Sequence, residues 1–236
     1  MSIKIENVDV FGWEASIRGL RSPMNSWDKS DSCYCKQPET NDCNNKYEAC
    51  CAWSTYDLGD KPFCIGQNDL KLMQSLVKAG SDHSKFMRMI NVNLDITAPL
   101  YWWKEFDTYK VGTVRNSCST MHKIHAKEFT LDDFSCDHLI LWDVDNNVHI
   151  PMGCLQDTIN VLNACREKYL ETKDKMYWWQ MIQLLPSSYN QRATVQLNYA
   201  VLRNMYHSRK AHKLDEWVWF CEWVETLPYA NVLITN

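Results

Sequence analysis

The stretch GSDHSKFMRMINVNLDITAPLYWWKEFDTYKVGTVRNSCSTMHK, residues 80–123, decides the predicted fold. Its first half alternates between two sets of residues, and one set is mainly apolar: Phe86, Arg88, Ile90, Val92, Leu94 and Ile96. A period of two gives a strand its two faces, so the pattern predicts a β-strand. Ala98-Pro99 ends that strand, because proline cannot donate to a ladder and suits the first turn of a helix.

The second half of the stretch predicts a short aromatic helix followed by a polar loop. The helix covers residues 100–110 and carries Tyr101, Trp102 and Trp103, which would either pack in the core or stack on a flat ligand. Packing is the commoner use of such a pair of tryptophans. The loop at 112–120 holds four hydroxyls, one amide and one thiol. A strand, a helix and a polar loop in this order predict a cradle for an anionic ligand.

The composition is that of a globular protein with a substantial core. The chain has 236 residues, of which 45% are apolar and 23% are charged. Its net charge of −4 gives no overall attraction to a nucleic acid polymer. The N-terminal MSIKIENVDVF has no apolar signal region, and no apolar run reaches the ~18–20 residues of a membrane helix. We therefore expect a soluble, cytoplasmic protein that binds neither membranes nor nucleic acid polymers.

Six of the eleven cysteines lie between Cys33 and Cys64. Without a secretory signal, a disulfide framework is not expected there. Clustered thiolates are zinc ligands, but the spacing lacks paired C-x-x-C knuckles. The prediction is therefore free thiols and no metal site, and zinc stays open as the alternative. The stretch is interpreted as a Cys-rich insertion at about 30–66 in a single α+β domain that spans residues 1–236.

The rest of the chain predicts one more strand and six helices. Asn68-Asp69 would cap the second of these helices, whose apolar positions keep a helical spacing up to Gly80. The fifth would carry Asn198 and Arg209 on one face, since eleven residues are three helical turns. The strand covers 3–10, and the helices cover 13–20, 68 to just before 80, 152–172, 175–185, 192–209 and 214–225.

A cationic cluster ends the fifth helix, with Arg209, Lys210, His212 and Lys213 close together. An arginine in this position suits a phosphate, because its planar guanidinium forms two parallel hydrogen bonds. The alternative is that these cations only neutralise the carbonyl groups at a helix C-terminus. The residues alone leave both interpretations open.

The order of these features resembles that of the flavin-dependent thymidylate synthases, over about residues 68–228. That family has a helix ending in glycine, a strand closing on Ala-Pro, an aromatic helix, a signature Arg-His-Arg and a Ser-rich loop, and later a Leu-Pro and a helix ending in an arginine. The matching positions here are Gly80, Ala98-Pro99, the helix to Lys110, the loop Asn116–Ser119, Leu185-Pro186 and the stretch Asn198–Arg209. SPMNSWDKSDS and LLPSSYNQR further resemble divergent proteins of bacteriophages and gut bacteria.

The resemblance implies an α+β fold of antiparallel strands with a helical layer, and a homotetramer with sites assembled between subunits. Trp217, Trp219 and Trp223 would be exposed and could belong to such an interface. The implied reaction is reductive methylation of the uracil ring of a dUMP-like nucleotide, with hydride from FAD and a methylene group from a reduced folate. By position, Ser119 resembles the serine beside the uracil and is the catalytic candidate. The implied nucleotide-binding residues are Glu105, Asn116, Ser117, Ser119 and Arg209, and the implied cofactor-binding residues are His83, Lys110, Asn198, Asn204 and Lys213.

The chain departs from the family in its signature. Thr108-Tyr109-Lys110 stands in place of Arg-His-Arg, Glu105 in place of a glutamine, and Met121 and Ile182 where arginines are expected. Lys110 keeps one positive charge, but as a point donor rather than a fork. A non-catalytic protein that binds or sequesters a nucleotide on the same scaffold is therefore the alternative, and a modified pyrimidine substrate is a third interpretation. Whether the chain is an enzyme stays open.

Overall fold

The computed structural model describes residues 3–34 and 63–236. These residues form two compact units. Within the described ranges, no helix is long and apolar enough to span a membrane. Unit 1 comprises the described parts of residues 1–5, 96–108 and 116–194, and unit 2 comprises those of residues 6–95, 109–115 and 195–236.

The chain alternates between short strands and helices. The strands are β1 (Lys4–Phe11), β2 (Cys33–Tyr34), β3 (Phe63–Cys64), β4 (Asn91–Pro99), β5 (Val114–Ser117) and β6 (Asn190–Asn198). The helices are α1 (Trp13–Arg21), α2 (Gln67–Lys78), α3 (Leu100–Phe106), α4 (Pro151–Thr172), α5 (Lys175–Leu184), α6 (Tyr199–Arg209), α7 (Asp215–Glu225) and α8 (Ala230–Leu233). Four strands form one sheet in the order β1-β4-β6-β5, and β2 pairs with β3 in an antiparallel ribbon. The fold is α+β with antiparallel strands, as predicted.

Strand β4 confirms most of the alternation in the stretch that decides the fold. Val92, Leu94 and Ile96 are buried, and the residues between them are partly exposed. The strand begins only at Asn91, however, because residues 85–88 form a 3₁₀ helix with two adjacent buried side chains, Phe86 and Met87. Adjacent buried side chains suit a helical turn and not a strand with one buried face. The prediction of a strand from Phe86 is therefore wrong at its start.

The predicted helix over 192–209 is wrong in its first part. Residues 190–198 form β6, and alternate side chains of this strand are buried: Gln191, Ala193, Val195 and Leu197. The period of two was missed because several of these residues also fit a helical spacing. The chain becomes helical only after Asn198, whose side-chain oxygen accepts the Val201 N–H at 3.1 Å and so caps α6. Asn198 and Arg209 therefore stand at opposite ends of α6, Asn198 as its N-cap and Arg209 as its last residue.

The cap predicted for α2 is also wrong. The helix begins at Gln67, and the groups that cap it come from a distant part of the chain. The Asp31 carboxylate accepts the N–H groups of Asn68 at 2.9 Å and of Asp69 at 3.1 Å. A carboxylate that satisfies two amides at a helix N-terminus has the favourable charge for that position. Asn68 and Asp69 are thus the residues that are capped, and Asp31 is the cap.

The side chain of Asp69 is instead the centre of a buried polar network in unit 2. It accepts hydrogen bonds from Arg21 Nε at 2.7 Å, from Ser30 Oγ at 2.7 Å and from Ser32 Oγ at 2.6 Å. Burial, the largest single influence, acts to raise the pKa of Asp69, but the hydrogen bonds from the two serines and the arginine together lower it. The network therefore holds an ionised carboxylate inside the unit and fixes the end of α1 to the start of α2.

The ribbon of β2 and β3 stands at the two ends of the Cys-rich stretch. Cys33 pairs with Cys64 and Tyr34 with Phe63 across the ribbon. Cys64 is disulfide-bonded, which differs from the expectation of free thiols throughout, whereas Cys33 is free. Most of the predicted insertion at 30–66, including four of its cysteines, lies outside the described residues. Within the described ranges, no three His, Cys, Asp or Glu side chains are grouped as metal ligands would be.

The tryptophans considered as ligand contacts or as an interface are buried or partly buried. Trp102 and Trp103 on α3 are buried in the core, the commoner of the two roles considered for them. Trp217 on α7 is completely buried as well, and Trp219 and Trp223 are partly buried. The expectation of an exposed Trp217 is therefore wrong, because its ring packs inside unit 2 against Phe220.

Candidate functional site

A polar cavity in unit 1 contains the predicted catalytic serine. Its volume is about 300 Å³. The lining combines hydroxyls, amides, a thiol and charges of both signs, and consists of Thr97, Cys118, Ser119, Thr120, Lys127, Asp132, Asp133, Tyr189, Asn190, Gln191 and Arg192. A cavity of this kind offers donors and acceptors for a polar ring and no excess of positive charge.

The Ser119 side chain stabilises the turn that follows it. Its Oγ accepts the N–H groups of Met121 at 3.2 Å and of His122 at 3.0 Å. Because the oxygen is an acceptor in these bonds, the hydroxyl hydrogen points elsewhere and is available as a donor. Within the part of the chain that the structure describes, no side chain accepts that hydrogen from Ser119. The geometry therefore supports a serine that donates a hydrogen bond to a ligand and not a serine activated as a nucleophile.

Strand β6 fixes the loop that carries Ser119. The Cys118 N–H donates to the Arg192 carbonyl at 2.9 Å, and Gln191 Nε2 donates to the Cys118 carbonyl at 2.6 Å. Gln191 is buried, so its amide is held in place. The sequence interpretation missed this residue because it assigned the segment to a helix. The alternation of buried and exposed residues in β6 is the signal that could have found it.

Charged and aromatic side chains form the opposite part of the cavity lining. Lys127 Nζ forms an ion pair with Asp133, which also accepts the Thr130 N–H at 2.9 Å in a capping box. Tyr189 packs edge-to-face on Phe134, with ring centroids 5.7 Å apart. Burial, and to a lesser degree nearby acidic groups, raises the pKa of Tyr189, so its phenol stays protonated and can donate. None of these residues was predicted from the sequence.

The other predicted nucleotide-binding residues of unit 1 do not line this cavity. Glu105 is half-buried on α3, and its backbone carbonyl accepts the Thr108 hydroxyl at 2.7 Å. Asn116 and Ser117 are exposed at the end of β5. The structure therefore brings Ser119, alone of these four, into the cavity.

Arg209 lies in unit 2, at the end of α6, within an aromatic cluster formed by Tyr109, Trp217 and His212. The guanidinium carbon is 4.9 Å from the ring centre of Trp217 and 5.6 Å from that of Tyr109. Its Nε donates to the Tyr109 hydroxyl at 2.9 Å, and its Nη1 is 3.0 Å from His212 Nε2. Cation–π contacts and a fixed Nε hold the fork in one orientation. A pre-oriented arginine is what the recognition of a phosphate requires.

The five predicted cofactor-binding residues all belong to unit 2. Asn198 is fixed, because its oxygen caps α6 and its Nδ2 approaches Gly112 so closely that a Cβ there would lie 2.9 Å away. Gly112 also has a φ of 81°, which favours glycine. The other four side chains are exposed: His83, Lys110, Asn204 and Lys213. Amide and cationic donors of these types are the groups that bind the diphosphate of a dinucleotide.

The fold combines helices with antiparallel strands. One strand ends at Ala98-Pro99, and a polar loop is fixed to β6. No family model matches the chain, and no curated protein matches it either. Among solved structures, the chain is similar to the flavin-dependent thymidylate synthase ThyX of Helicobacter pylori complexed with FAD and dUMP, with a TM-score of 0.63 and 14% identity over 100% of this chain and 98% of that one. The fold of the chain is thus that of the ThyX-like proteins.

A second similar structure is that of a nucleotide methylase. The UMP/dUMP methylase PolB of Streptomyces cacaoi, bound with 5-Br dUMP, gives a TM-score of 0.56 and 12% identity over 98% of this chain and 91% of that one. The same methylase bound with 5-Br UMP gives a TM-score of 0.57. Identities this low show a shared fold and do not by themselves assign an activity.

Proposed function

We propose that this protein binds a pyrimidine mononucleotide related to dUMP or UMP. The observation that carries the proposal is Arg209, which ends α6 with its guanidinium in contact with the rings of Tyr109 and Trp217 and its Nε bonded to the Tyr109 hydroxyl. The similar structures contain dUMP, 5-Br dUMP or 5-Br UMP, which supports a nucleotide of this class. A guanidinium oriented in this way would attract the phosphate by its charge and by charge-assisted hydrogen bonding.

The uracil edge is assigned to the cavity that contains Ser119. Its hydroxyl donor, and the amides that line the same cavity, match the carbonyl and N–H groups of a pyrimidine. Glu105, Asn116 and Ser117 are proposed as further nucleotide contacts by their resemblance to the family. In that family the sites form between subunits of a homotetramer, so the proposal includes an oligomer and does not require one chain to supply all contacts.

If the protein is catalytic, the proposed reaction is reductive methylation of the uracil ring. FAD would supply the hydride and a reduced folate the methylene group. His83, Lys110, Asn204 and Lys213 would hold the diphosphate by charge and amide donors, and Asn198 would contribute its amide beside Gly112. Ser119 would position the base as a hydrogen-bond donor.

A non-catalytic nucleotide-binding protein is the second candidate, and one observation favours it. Tyr109 stands where the sequence resemblance places the signature, and its hydroxyl and ring are both used to hold Arg209. A residue used in this way supports binding of a phosphate, but it stands in place of the histidine of the family signature. Such a protein would sequester or sense a nucleotide, in the cytoplasm of a bacterium or of a phage-infected cell.

Calorimetric titration with dUMP, UMP and deoxyuridine tests the proposal. We expect dUMP or UMP to bind in a saturable manner and deoxyuridine, which lacks the phosphate, to bind far more weakly. Equal affinities for dUMP and deoxyuridine would show that Arg209 does not bind the phosphate. Absorption spectra after addition of FAD and desalting separate the two candidates, since retained bands near ~450 nm support the flavin enzyme and a colourless nucleotide-binding protein supports the second candidate.

A further inference from the structure

A second cavity lies in unit 2, between the end of α1 and the start of α2. It has a volume of about 540 Å³ and is lined by Arg21, Met24, Ser26, Lys29, Asn68 and Leu72. The four polar side chains in this set all carry hydrogen-bond donors, and no carboxylate from residues 3–34 or 63–236 lines the cavity. The two apolar side chains offer contact to a hydrocarbon group. The lining therefore has the chemistry of a site for an amphiphilic anion.

Arg21 is oriented by the buried network around Asp69. Its Nε donates to Asp69, which is itself fixed by the hydroxyls of Ser30 and Ser32 and by the N–H groups of Asp31 and Ser32. The other two nitrogens of the guanidinium form no hydrogen bond with the residues that the structure describes. A guanidinium held through Nε presents these two nitrogens as a fixed pair of donors, and Arg21 lines the cavity.

Ser26 supplies the second, independent observation. The residue is 6% exposed and lines the cavity. Its Oγ has no hydrogen-bond partner in residues 3–34 and 63–236. Buried hydroxyls in proteins are nearly always hydrogen-bonded, so an unpartnered one at a cavity is a group that a bound molecule can satisfy. The N–H of Ser26 donates to the Arg21 carbonyl at 3.3 Å, which keeps the two residues together.

We propose that this cavity is a binding site for a small organic oxyanion, a phosphate or carboxylate joined to an apolar group. Arg21 and Ser26 hold the anion, and Asn68 supplies an amide donor. The charge of Arg21 is already balanced by Asp69, so the exposed Lys29 supplies the positive charge that attracts the anion. The apolar part of the ligand lies against Met24 and Leu72. This site is separate from the Ser119 cavity and from the Arg209 cluster, and it does not depend on the proposed nucleotide function.

Three matched aromatic probes test the site by calorimetric titration of the full chain: phenyl phosphate, benzoate and the neutral benzyl alcohol. We expect saturable binding of at least one anion and none of benzyl alcohol. The tighter of the two anions identifies the head group as phosphate or carboxylate. Lys29→Gln weakens binding by about tenfold and Ser26→Ala by roughly threefold to tenfold, as expected for the loss of one ionic or neutral hydrogen bond.

Matched variants keep the test decisive. Lys71→Gln removes an exposed lysine of α2 that does not line the cavity, and it leaves the affinity unchanged. The titrations are repeated in the Arg209→Ala background, where the proposed nucleotide site has lost its phosphate contact and the remaining anion binding reports on this cavity. Arg21 is not substituted, because its loss would leave the Asp69 carboxylate uncompensated and endanger folding. Anion binding that is insensitive to both Lys29→Gln and Ser26→Ala, or equal binding of benzyl alcohol, overturns the proposal, and circular dichroism verifies that each variant is folded.

Discussion

The Arg209 cluster of unit 2 and the Ser119 cavity of unit 1 present ligand-binding groups in different ways. Arg209 is held by side chains: its guanidinium contacts two aromatic rings, and its Nε donates to the Tyr109 hydroxyl. Ser119 is exposed, and its loop is held through the backbone and through the buried Gln191. The first region places one strong cation, whereas the second places many weak donors and acceptors of mixed charge.

The difference separates affinity from recognition. A single charge-assisted pair in a partly desolvated place contributes much of the binding free energy of an anion. Each neutral hydrogen bond contributes less binding free energy, but several together distinguish one base from another. We therefore expect substitutions in the Arg209 cluster to change nucleotide affinity, and substitutions around Ser119 to change the stability and shape of the cavity.

Replacement of Arg209 should have the largest effect. Arg209→Ala is expected to weaken dUMP binding by about 2–5 kcal/mol, because truncation of a charged partner leaves the phosphate uncompensated. The measurement is calorimetric titration of both proteins with dUMP. Lys210→Ala is the matched control, since Lys210 is the next residue, is exposed and stands over the Tyr206 ring 5.7 Å away. Unchanged affinity in Arg209→Ala would contradict the assigned role.

The thiols of the two regions should differ almost as strongly in reactivity. Burial is the main reason that the pKa of Cys221, in unit 2, is raised to about 12. At pH 8 such a thiol has a thiolate fraction roughly 10³-fold below that of an ordinary cysteine. Cys118, which is exposed in the Ser119 cavity, should therefore react with iodoacetamide long before Cys221. Peptide mass spectrometry follows both sites, and reaction of Cys221 should become appreciable only as the pH approaches 12.

The same labelling experiment tests the cavity as a ligand site. Saturating dUMP should slow the alkylation of Cys118 and leave that of the exposed Cys154 unchanged, because Cys154 does not line the cavity. Equal rates for Cys118 and Cys221 would show that unit 2 opens to solvent, and the contrast between the two regions would then fail.

Local patterns in the sequence predicted much of the fold but little of the Ser119 cavity. The alternation at 92–96 and the proline at 99 gave β4 and α3 within a few residues. The alternation in β6 is equally regular, yet a helical spacing overlaps it, and only pairing with other strands resolves the conflict. The misassigned strand carries Gln191 and Arg192, so the error in the fold became an error in the site.

The Arg209 cluster shows the opposite relation between sequence and site. Its arginine was found at the end of a helix from residue type and position alone. Tyr109 lies 100 residues before Arg209 in the chain, and Trp217 lies 8 residues after it. No local period in the sequence connects the three residues. The sequence predicted an exposed interface for Trp217, because an aromatic helix has the same pattern whether its rings face solvent or the interior of the protein.

Truncation of Gln191 should have the next largest effect, on stability rather than affinity. Gln191→Ala removes a buried amide and leaves the Cys118 carbonyl without its donor, and we expect a loss of about 1–3 kcal/mol in the free energy of unfolding. Denaturation in urea measures it. Gln196→Ala is the matched control, because Gln196 is on the exposed side of the same strand. Equal losses in the two variants would mean that the Gln191 amide does not anchor the loop.

The smallest effect should come from a single hydroxyl of the Arg209 cluster. Tyr109→Phe keeps the ring that stands over the guanidinium and removes the acceptor of Arg209 Nε. We expect dUMP affinity to fall by about 0.5–1.5 kcal/mol, the net value of one hydrogen bond. Tyr101→Phe is the control, since it removes a hydroxyl bonded to Ser135 Oγ at 3.1 Å in unit 1. If Tyr109→Phe binds dUMP as tightly as the parent protein does, the Tyr109 hydroxyl is not needed to orient Arg209. Cation–π contact with the two rings would then be sufficient to hold the guanidinium.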